Sequence, residues 1–379
     1  MSRESALHPY AAGPLTLPRA CGKPVVAKRA SGADVKSRHN QDAPPPEAAT
    51  SWEDTMERRS LLQGLTGAAV LGLLPMSAPR AAEKTIVYLT PGLDLPFWRY
   101  LSKGIENTAR QAGYGFSALD SHNNAATQLK NAQDVIARGA AGICISPTDS
   151  STAPAVLGLA QKANIPVVVS DIGTNSGDYV SFVISNNFEG AYGVGQALAA
   201  ALKEKGWTDG SVGLVTISQA RKNGQARTAG FRKAMREAGI AKEAGLQQMQ
   251  SYTSDETFKF VQDMLTANPD MRGLFVQTDQ PTTGALRAIK AGRREGQVLV
   301  AAFDGTPELV DLIRKGEVVG SGMQQPYLMG QKSAEALVAH LQGKDVPKET
   351  SVPIITVTSK NVEALLPTIK TTVFANELT

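Results

Sequence analysis

The segment IPVVVSD, Ile165–Asp171, is a short apolar run that ends abruptly on a carboxylate. Its residues from Ile165 to Val169 are all apolar, so they show neither the alternation of a half-buried strand nor the spacing of an amphipathic helix. Continuously apolar strands are typical of a parallel sheet that helices cover on both faces. The segment therefore predicts a buried strand with Asp171 at its carboxyl end.

Short apolar runs recur along the chain and alternate with helical patterns. In the first of these helices Phe97, Leu101, Ile105 and Ala109 form one apolar stripe, and Gly113 marks its end. The predicted strands are TIVYLT, YGFSALD, AGICIS, IPVVVS and YVSFVIS, and then SVGLVTIS, GLFVQ and QVLVAAF. Two successive strand–helix series predict an α/β fold with two doubly wound parallel-sheet lobes.

Length and composition limit the classes of function. The chain has 379 residues, more than a single hydrophobic core usually supports, so two domains are expected. A formal net charge of +4 is too small to indicate a nucleic-acid partner. Cys21 and Cys144 belong to no CxxC motif or Cys/His cluster, so we predict no metal site and no cofactor.

Residues 56–82 have the features of an export signal. Arg58 and Arg59 precede a modest apolar stretch that is too short to span a bilayer, and small residues follow it. The segment ERRSLLQ resembles the twin-arginine export motif. We therefore expect a cleavable signal of that type, a periplasmic location in a Gram-negative cell, and no direct membrane insertion after the signal is cleaved.

Residues 1–55 stand upstream of this signal and have a different composition. They are rich in Pro, Ala and Ser and lack apolar periodicity, so we do not expect them to fold. Translation from Met56 would make them a mis-called extension, because export signals belong at the N-terminus. N-terminal sequencing of the precursor tests this hypothesis, and a start upstream of Met56 would refute it.

Few residues suggest catalysis. His122 and His340 are the histidines beyond the signal, and neither has a nucleophile at a recognisable spacing. The chain contains no GxSxG, HExxH or Walker motif. The segment GAYGVGQ, Gly190–Gln196, resembles a dinucleotide-binding loop but lacks its third glycine, so we interpret it as a tightly packed helix start. We predict that the protein is not an enzyme.

Polar residues end several of the predicted strands. Ligands of open parallel sheets bind beyond the carboxyl ends of the strands, which makes these positions informative. A carboxylate at such a place can also cap the next helix, but polar groups from two lobes are harder to explain by capping. The strand-end residues are Pro91 to Leu95, Asp120, Ser146, Asp171, Ser218, Thr278 with Asp279, and Asp304.

Seven short motifs carry a resemblance to a known family. They are LDLPFW, LDSHNN, ISPTDS, NIPVVVSD, LTANPD, AFDGTPE and QQP. In their order and spacing they resemble the periplasmic ribose-binding family of substrate-binding proteins, from about Lys84 to about Lys360. This resemblance implies the type I periplasmic binding protein fold, in which two lobes close over a sugar. It also implies a monomer.

The same resemblance implies where the chain passes between the lobes. Crossings are expected near Ser185–Asn186, Gln324–Gln325 and Val352–Ile354, and together they form a three-crossing hinge. A return helix from Tyr327 to Leu341 should pack on the first lobe. The N-terminal lobe is then residues 83–185 plus 325–353, and the C-terminal lobe is residues 186–324 plus 354–379.

The sugar-contacting positions of the family can be carried over one at a time. Phe97 and Trp98 match paired aromatic residues that stack on the faces of a sugar ring, which suits the apolar C–H faces of sugars. Two carboxylates, an arginine and an amide match hydroxyl-binding groups, and the forked guanidinium suits paired oxygens. These and the further aromatic positions are Asp171, Asp304, Arg227, Gln324, Tyr252 and Phe303.

Four positions depart from the ribose-binding pattern. Leu95, Ser146 and Thr278 replace asparagines, and Ile172 replaces an arginine directly after Asp171. A site that loses these donors leaves several hydroxyls of ribose without partners. The departures argue against ribose itself and favour a deoxysugar, a small cyclic polyol derivative or another small polar ligand.

Two functions follow from the resemblance. One is a periplasmic receptor that closes on a small sugar or polyol and delivers it to an inner-membrane ABC permease. The alternative is a periplasmic sensor whose closed form engages a histidine kinase or a chemoreceptor, because the ligand would stabilise the same closed state. The sequence contains no motif that separates them.

Overall fold

The computed structural model describes residues 84–376. The expected signal at 56–82 and the extension at 1–55 lie outside the described residues. The strands are β1 Thr85–Thr90, β2 Gly115–Asp120, β3 Gly142–Ile145, β4 Val167–Ser170, β5 Ser181–Ile184, β6 Ser211–Thr216, β7 Glu243–Gln248, β8 Met271–Val276, β9 Leu299–Phe303, β10 Gly320–Met323, β11 Glu349–Ser351 and β12 Ile355–Thr358.

Ten helices lie between and after these strands in the described part of the chain. They are α1 Pro96–Gln111, α2 Ala125–Ala137, α3 Ala153–Lys162, α4 Asn187–Glu204, α5 Lys222–Glu237, α6 Ser254–Ala267, α7 Thr282–Ala291, α8 Pro307–Arg314, α9 Pro326–Leu341 and α10 Val362–Thr372. Three of them, α1, α8 and α9, begin with a proline, whose fixed φ suits the first helical position. No helix within residues 84–376 is long and apolar enough to cross a membrane.

The strands form two six-stranded sheets with corresponding strand orders. The first sheet runs β11-β5-β4-β3-β1-β2 and is parallel throughout. The second runs β12-β10-β9-β8-β6-β7 and is parallel except for its edge strand β12. The central strands β3 and β4 are buried along their whole length, as their apolar sequences predict. The predicted α/β fold with two parallel-sheet lobes is confirmed.

The chain passes between the sheets three times. It leaves the first sheet after β5, leaves the second sheet after β10, and returns from β11 to β12 through residues 352–354. We keep as our proposal the lobe boundaries 83–185 plus 325–353 and 186–324 plus 354–379, of which residues 83 and 377–379 lie outside the described part. Below, the two groups of residues are called the first and the second lobe.

Close helix pairs without intervening side chains hold each lobe together. In the first lobe α1 packs on α9, and a Cβ on Gly104 would lie 2.2 Å from the carbonyl oxygen of Tyr327. A Cβ on Gly330 would likewise lie 2.1 Å from the carbonyl oxygen of Leu101. In the second lobe α4 packs on α5 in the same way, where a Cβ on Gly230 would lie 2.1 Å from the carbonyl oxygen of Phe188.

Candidate functional site

A small cavity lies between the lobes, where the carboxyl ends of both sheets face each other. Its volume is about 40 Å³. The first lobe contributes residues from the β1–α1 turn, the first turn of α1 and the end of β4, and Gln324 lies at the second crossing. The lining residues are Leu95, Phe97, Trp98, Asp171, Gln324, Ile217, Arg221, Asn223, Arg227, Tyr252, Thr278, Asp279 and Asp304.

Asp171 lies at the mouth of β4 and is only 2% exposed. Its φ of 61° places it in the left-handed region, which Asp tolerates better than most residues. The Ile172 N–H donates to the carbonyl of Ser170 at 2.8 Å, so Asp171 is the central residue of a tight turn. One carboxylate oxygen, Oδ2, accepts from Asn223 Nδ2 at 3.0 Å, while Oδ1 has no partner among the described residues.

Asp304 lies at the corresponding place in the second lobe and is part of a buried network. Its Oδ2 accepts from Arg227 at 3.0 Å, and its Oδ1 accepts from Gln324 Nε2 at 2.9 Å. Arg227 also donates to Asn187 Oδ1 and to the carbonyl of Gln277, each at 2.7 Å. These three acceptors hold the buried guanidinium in one orientation.

Aromatic rings form the apolar walls of the cavity. Phe97 and Trp98 meet edge to face with their ring centroids 4.8 Å apart. Tyr252 stands on the opposite side, with a φ of 56° that is held by a hydrogen bond from its N–H to Glu256 Oε2 at 2.9 Å. The Tyr252 hydroxyl accepts from the N–H of Ser218 at 3.2 Å. The rings offer flat apolar surface to a ligand between the lobes.

The structure brings together eight of the eleven predicted site residues at this cavity. They are Phe97, Trp98, Asp171, Arg227, Tyr252, Thr278, Asp304 and Gln324. Ser146, Ile172 and Phe303 are fully buried and do not line it. Leu95, which the sequence singled out as a departure, does line it.

The three remaining residues support the lining from behind. The Ser146 hydroxyl pairs with the Tyr88 hydroxyl at 2.9 Å inside the first lobe. Ile172 follows the tight turn and packs in the apolar cluster of the first lobe, so its side chain replaces no cavity-lining donor in this structure. Phe303 lies under the arginine of the site, with the Arg227 guanidinium carbon 3.9 Å from its ring centroid.

Three polar lining residues were not among the predicted site residues. Arg221 and Asn223 lie at the start of α5, where no local sequence pattern marks them. Asp279 was recognised as a strand-end residue without being assigned to the site. Its Oδ1 accepts from the Gln280 N–H at 2.7 Å, while Oδ2 has no partner among the described residues.

The β6–α5 segment of the second lobe makes direct contacts with the first lobe. Arg221 Nε donates to the carbonyl of Thr148 at 2.8 Å, and its NH2 group donates to Asn123 Oδ1 at 2.7 Å. Lys222 Nζ donates to the carbonyl of Thr174 at 2.9 Å. These bonds, with the bond from Asn223 to Asp171, fix the lobes against each other across the cavity.

Burial dominates the electrostatics of the carboxyl groups. It raises the pKa of Asp171 to about 6, although Arg227 opposes the shift. It also raises the pKa of Asp279 to about 6, and the nearby charge of Asp304 adds to that shift. The pKa of Asp304 is raised by burial too, against the lowering effect of Arg227 and Gln324. A negative charge in this cavity is therefore costly unless a ligand or a proton compensates it.

A second, larger cavity adjoins the first on the side of the β1–α1 turn. Its volume is about 210 Å³, and it shares Leu95, Trp98, Arg221 and Tyr252 with the smaller one. His122 and Asp94 also line it. In the described part of the chain, no group of three or more His, Cys, Asp or Glu side chains is placed to hold a metal ion.

The protein has two parallel-sheet lobes with a cavity between them, and carboxylates, an amide, arginines and aromatic rings line that cavity. This arrangement is that of a two-lobed solute-binding protein. Residues 86–345 match the family model described as periplasmic binding protein domain, and the chain belongs to this family. Within it, the chain is similar to proteins of the ribose-binding branch, as the motifs indicate.

Two relatives and one solved structure illustrate the similarity. The ribose import binding protein of Haemophilus influenzae is 31% identical over 77% of this chain and 97% of its own length. That of Escherichia coli K12 is 32% identical over 74% of this chain and 92% of its own length. A carbohydrate transporter solute-binding protein from Agrobacterium radiobacter, solved with D-arabinose, superposes with a TM-score of 0.71 at 23% identity, over 77% of this chain and 99% of that one. The last likeness concerns the fold alone.

Proposed function

We propose that this protein is a periplasmic solute-binding protein that closes on a small sugar-like or polyol ligand and delivers it to an ABC importer. The family supports a periplasmic binding role, and the relatives named above are import binding proteins. Nothing among them supports the sensory alternative. The binding role requires no catalysis, and the site residues act as hydrogen-bonding groups and ring platforms.

One observation carries the proposal: acceptors, donors and ring faces converge on a cavity at the carboxyl ends of two sheets. Asp171 and Asp304 accept hydrogen bonds from ligand hydroxyls. Arg227 and Gln324 donate to the Asp304 carboxylate and hold it in place. The rings of Phe97, Trp98 and Tyr252 cover the faces of the ligand ring. A sugar or polyol needs these three kinds of contact at once. Ser146, Ile172 and Phe303 contribute from behind the lining.

The ligand is a compound other than ribose. Leu95 and Thr278 line the cavity where the ribose-binding pattern has asparagines, so two amides that would pair with hydroxyls are absent from the lining. Hydroxyls facing Leu95 would lose their hydrogen bonds to water without replacement. A ligand with fewer hydroxyls on that side fits better.

The remaining parts of the system follow from this role. An inner-membrane ABC permease receives the ligand, the protein acts as a monomer, and a cleavable twin-arginine signal at residues 56–82 exports it. The role involves neither nucleic acid nor, after cleavage, insertion into the membrane.

A binding screen followed by a genetic test examines the proposal. Thermal unfolding of the purified protein against pentoses, hexoses, deoxysugars and cyclic polyols should identify a compound that raises the midpoint, and native mass spectrometry should show whether a ligand co-purifies. A strain without the gene should then fail to take up that compound. Unimpaired uptake together with a lost transcriptional or chemotactic response would contradict the importer role.

A further inference from the structure

The unpartnered buried atoms around the cavity are of one chemical kind. Asp171 Oδ1, Asp279 Oδ2 and Gln324 Oε1 have no hydrogen-bond partner among the described residues, and all three residues line the cavity. Each of these side chains is at least nine-tenths buried. All three atoms are hydrogen-bond acceptors, so the ligand must be rich in donors.

The formal charges that face the cavity do not cancel. Three carboxylates line it, from Asp171, Asp279 and Asp304, against the two guanidinium groups of Arg221 and Arg227. Both guanidinium groups are already engaged, Arg227 with Asp304 and two further acceptors, and Arg221 with two acceptors of the first lobe. One formal negative charge thus remains uncompensated in a buried site.

Within residues 84–376, no further cationic side chain is hydrogen-bonded to the unpartnered oxygens. Lys222 lies beside Asp171 in a neighbouring cavity, but its ammonium donates to the carbonyl of Thr174. His122 and Asp94 line the larger cavity on the other side of Leu95 and Trp98. The compensating charge must therefore come from a proton or from the ligand.

We propose that the ligand carries a protonated amino group as well as hydroxyls, an amino-substituted sugar or cyclic polyol whose ammonium lies between Asp171 and Asp279. This proposal rests on the proposed function and names the chemical class of the ligand. An ammonium donates three hydrogen bonds and neutralises the excess charge. The faces of Trp98, Phe97 and Tyr252 add a favourable environment for a cation.

Matched pairs of compounds test the charge requirement directly. The pairs are D-glucosamine with D-glucose, D-galactosamine with D-galactose, D-mannosamine with D-mannose, and scyllo-inosamine with scyllo-inositol, with the N-acetyl sugars as uncharged amine derivatives. At pH 7.5 we expect at least one amino compound to bind about tenfold or more tightly than its neutral partner. Thermal shift ranks the pairs and calorimetry gives the affinities.

A conservative variant tests the place of the ammonium. Asp279→Asn keeps an oxygen for the Gln280 N–H and replaces only the unpartnered oxygen, so the fold should persist while the preference for the amino compound falls by about tenfold. Asp263→Asn removes an exposed carboxylate of α6 and should leave the preference unchanged. Equal loss in both variants would contradict the assignment.

Proton release provides a second readout. Near pH 6 an ammonium that enters between partly protonated carboxyl groups should displace a proton, which calorimetry in two buffers of different ionisation enthalpy measures.

Neutral compounds that bind as tightly as their amino partners would overturn this inference and leave the proposed function intact. Failure of every compound in the panel to bind would count against both.

Discussion

Asp171 and Asp304 occupy equivalent positions in the two lobes. Each follows the fourth strand of its sheet counted from β2 or β7, and each has a left-handed φ, 61° and 62°. The N–H of each donates to the neighbouring strand, to Val183 at 2.9 Å and to Gly322 at 3.0 Å. The left-handed backbone at both strand ends thus directs a carboxylate towards the cleft. Few residue types other than Asp, Asn and Gly adopt this conformation without strain.

Asp171→Asn should weaken ligand binding by about tenfold or more, because it removes a charged acceptor without changing the shape of the side chain. Asparagine also tolerates the left-handed φ, whereas alanine would add backbone strain. Calorimetry with the ligand identified in the screen measures the effect, and Asp178→Asn in the following loop is the control. An unchanged affinity would remove Asp171 from the site.

Asp279→Asn should change how stability depends on pH. The pKa of Asp279 is raised to about 6 in the fold from an ordinary value of 3.8, so the folded state holds this proton more strongly than the unfolded chain. The resulting stability is fully present below about pH 4 and is lost as pH rises through about 6. The variant lacks this loss. Between pH 4 and pH 7 its free energy of unfolding should therefore rise relative to that of the wild type by up to about 3 kcal/mol.

Urea unfolding at several pH values measures this difference, with Asp263→Asn as the exposed counterpart. If the stability curves of Asp279→Asn and the wild type run parallel from pH 4 to pH 7, Asp279 is not the buried group that titrates near pH 6.

The sequence predicted site residues where strand ends and family motifs coincide. Asp171 and Asp304 follow recognisable apolar strands, so their position in the cleft could be expected. Arg221 and Asn223 could not, because they reach the cavity only through the packing of one lobe against the other. Ile172 was expected to face the ligand, but the tight turn at Asp171 directs it into the apolar cluster of the first lobe.

At the scale of elements, the paired helices decide how each lobe is built. The backbone of α9 lies against that of α1, which is possible because Gly104 and Gly330 lack side chains at the contact. The segment Gly190–Gln196 serves the same purpose in the second lobe, because it lies within α4, where a Cβ on Gly195 would lie 2.8 Å from that of Ala234. The interpretation of this segment as tight helix packing agrees with its position.

Gly330→Ala should destabilise the protein by about 1–3 kcal/mol, because the added methyl group meets the backbone of α1 and cannot be accommodated by a rotamer change. Gly158→Ala in α3 is a matched control, since apart from its own helix backbone and its chain neighbours no described atom lies within 4 Å of the added Cβ. That change should stabilise slightly, as alanine does in helices. Thermal unfolding measures both, and similar midpoints would contradict the packing argument.

Elements were predictable where their sequences are apolar or have a regular apolar stripe. The central strands were recognised from continuous apolar runs and the stripe on α1 from its helical periodicity, and all four residues of that stripe are buried. The strand β7, EAGLQQ, was missed because it lies at a sheet edge and is polar and half exposed. The short strands β11 and β12 carry too few apolar residues to stand out, so the third crossing came from the family resemblance rather than from periodicity.

At the scale of the whole molecule, hydrogen bonds between the two lobes contribute to closure without a ligand. Arg221→Ala removes two hydrogen bonds between the lobes and should shift the ligand-free protein towards an open arrangement with a larger radius of gyration. Small-angle X-ray scattering measures this change. Arg236→Ala removes an exposed arginine from the same helix and should leave the radius unchanged. Identical scattering from both variants would show that Arg221 does not favour closure.

The bridge from Arg221 to Thr148 and Asn123 also has a kinetic consequence. If a ligand enters only after these bonds have broken, the frequency of opening limits how fast the protein captures the solute. The observed association rate should then rise with ligand concentration and level off at the opening rate, instead of increasing linearly as it does for an always-open receptor. Arg221 thus limits the rate of ligand capture and also helps to fix the geometry of the cleft.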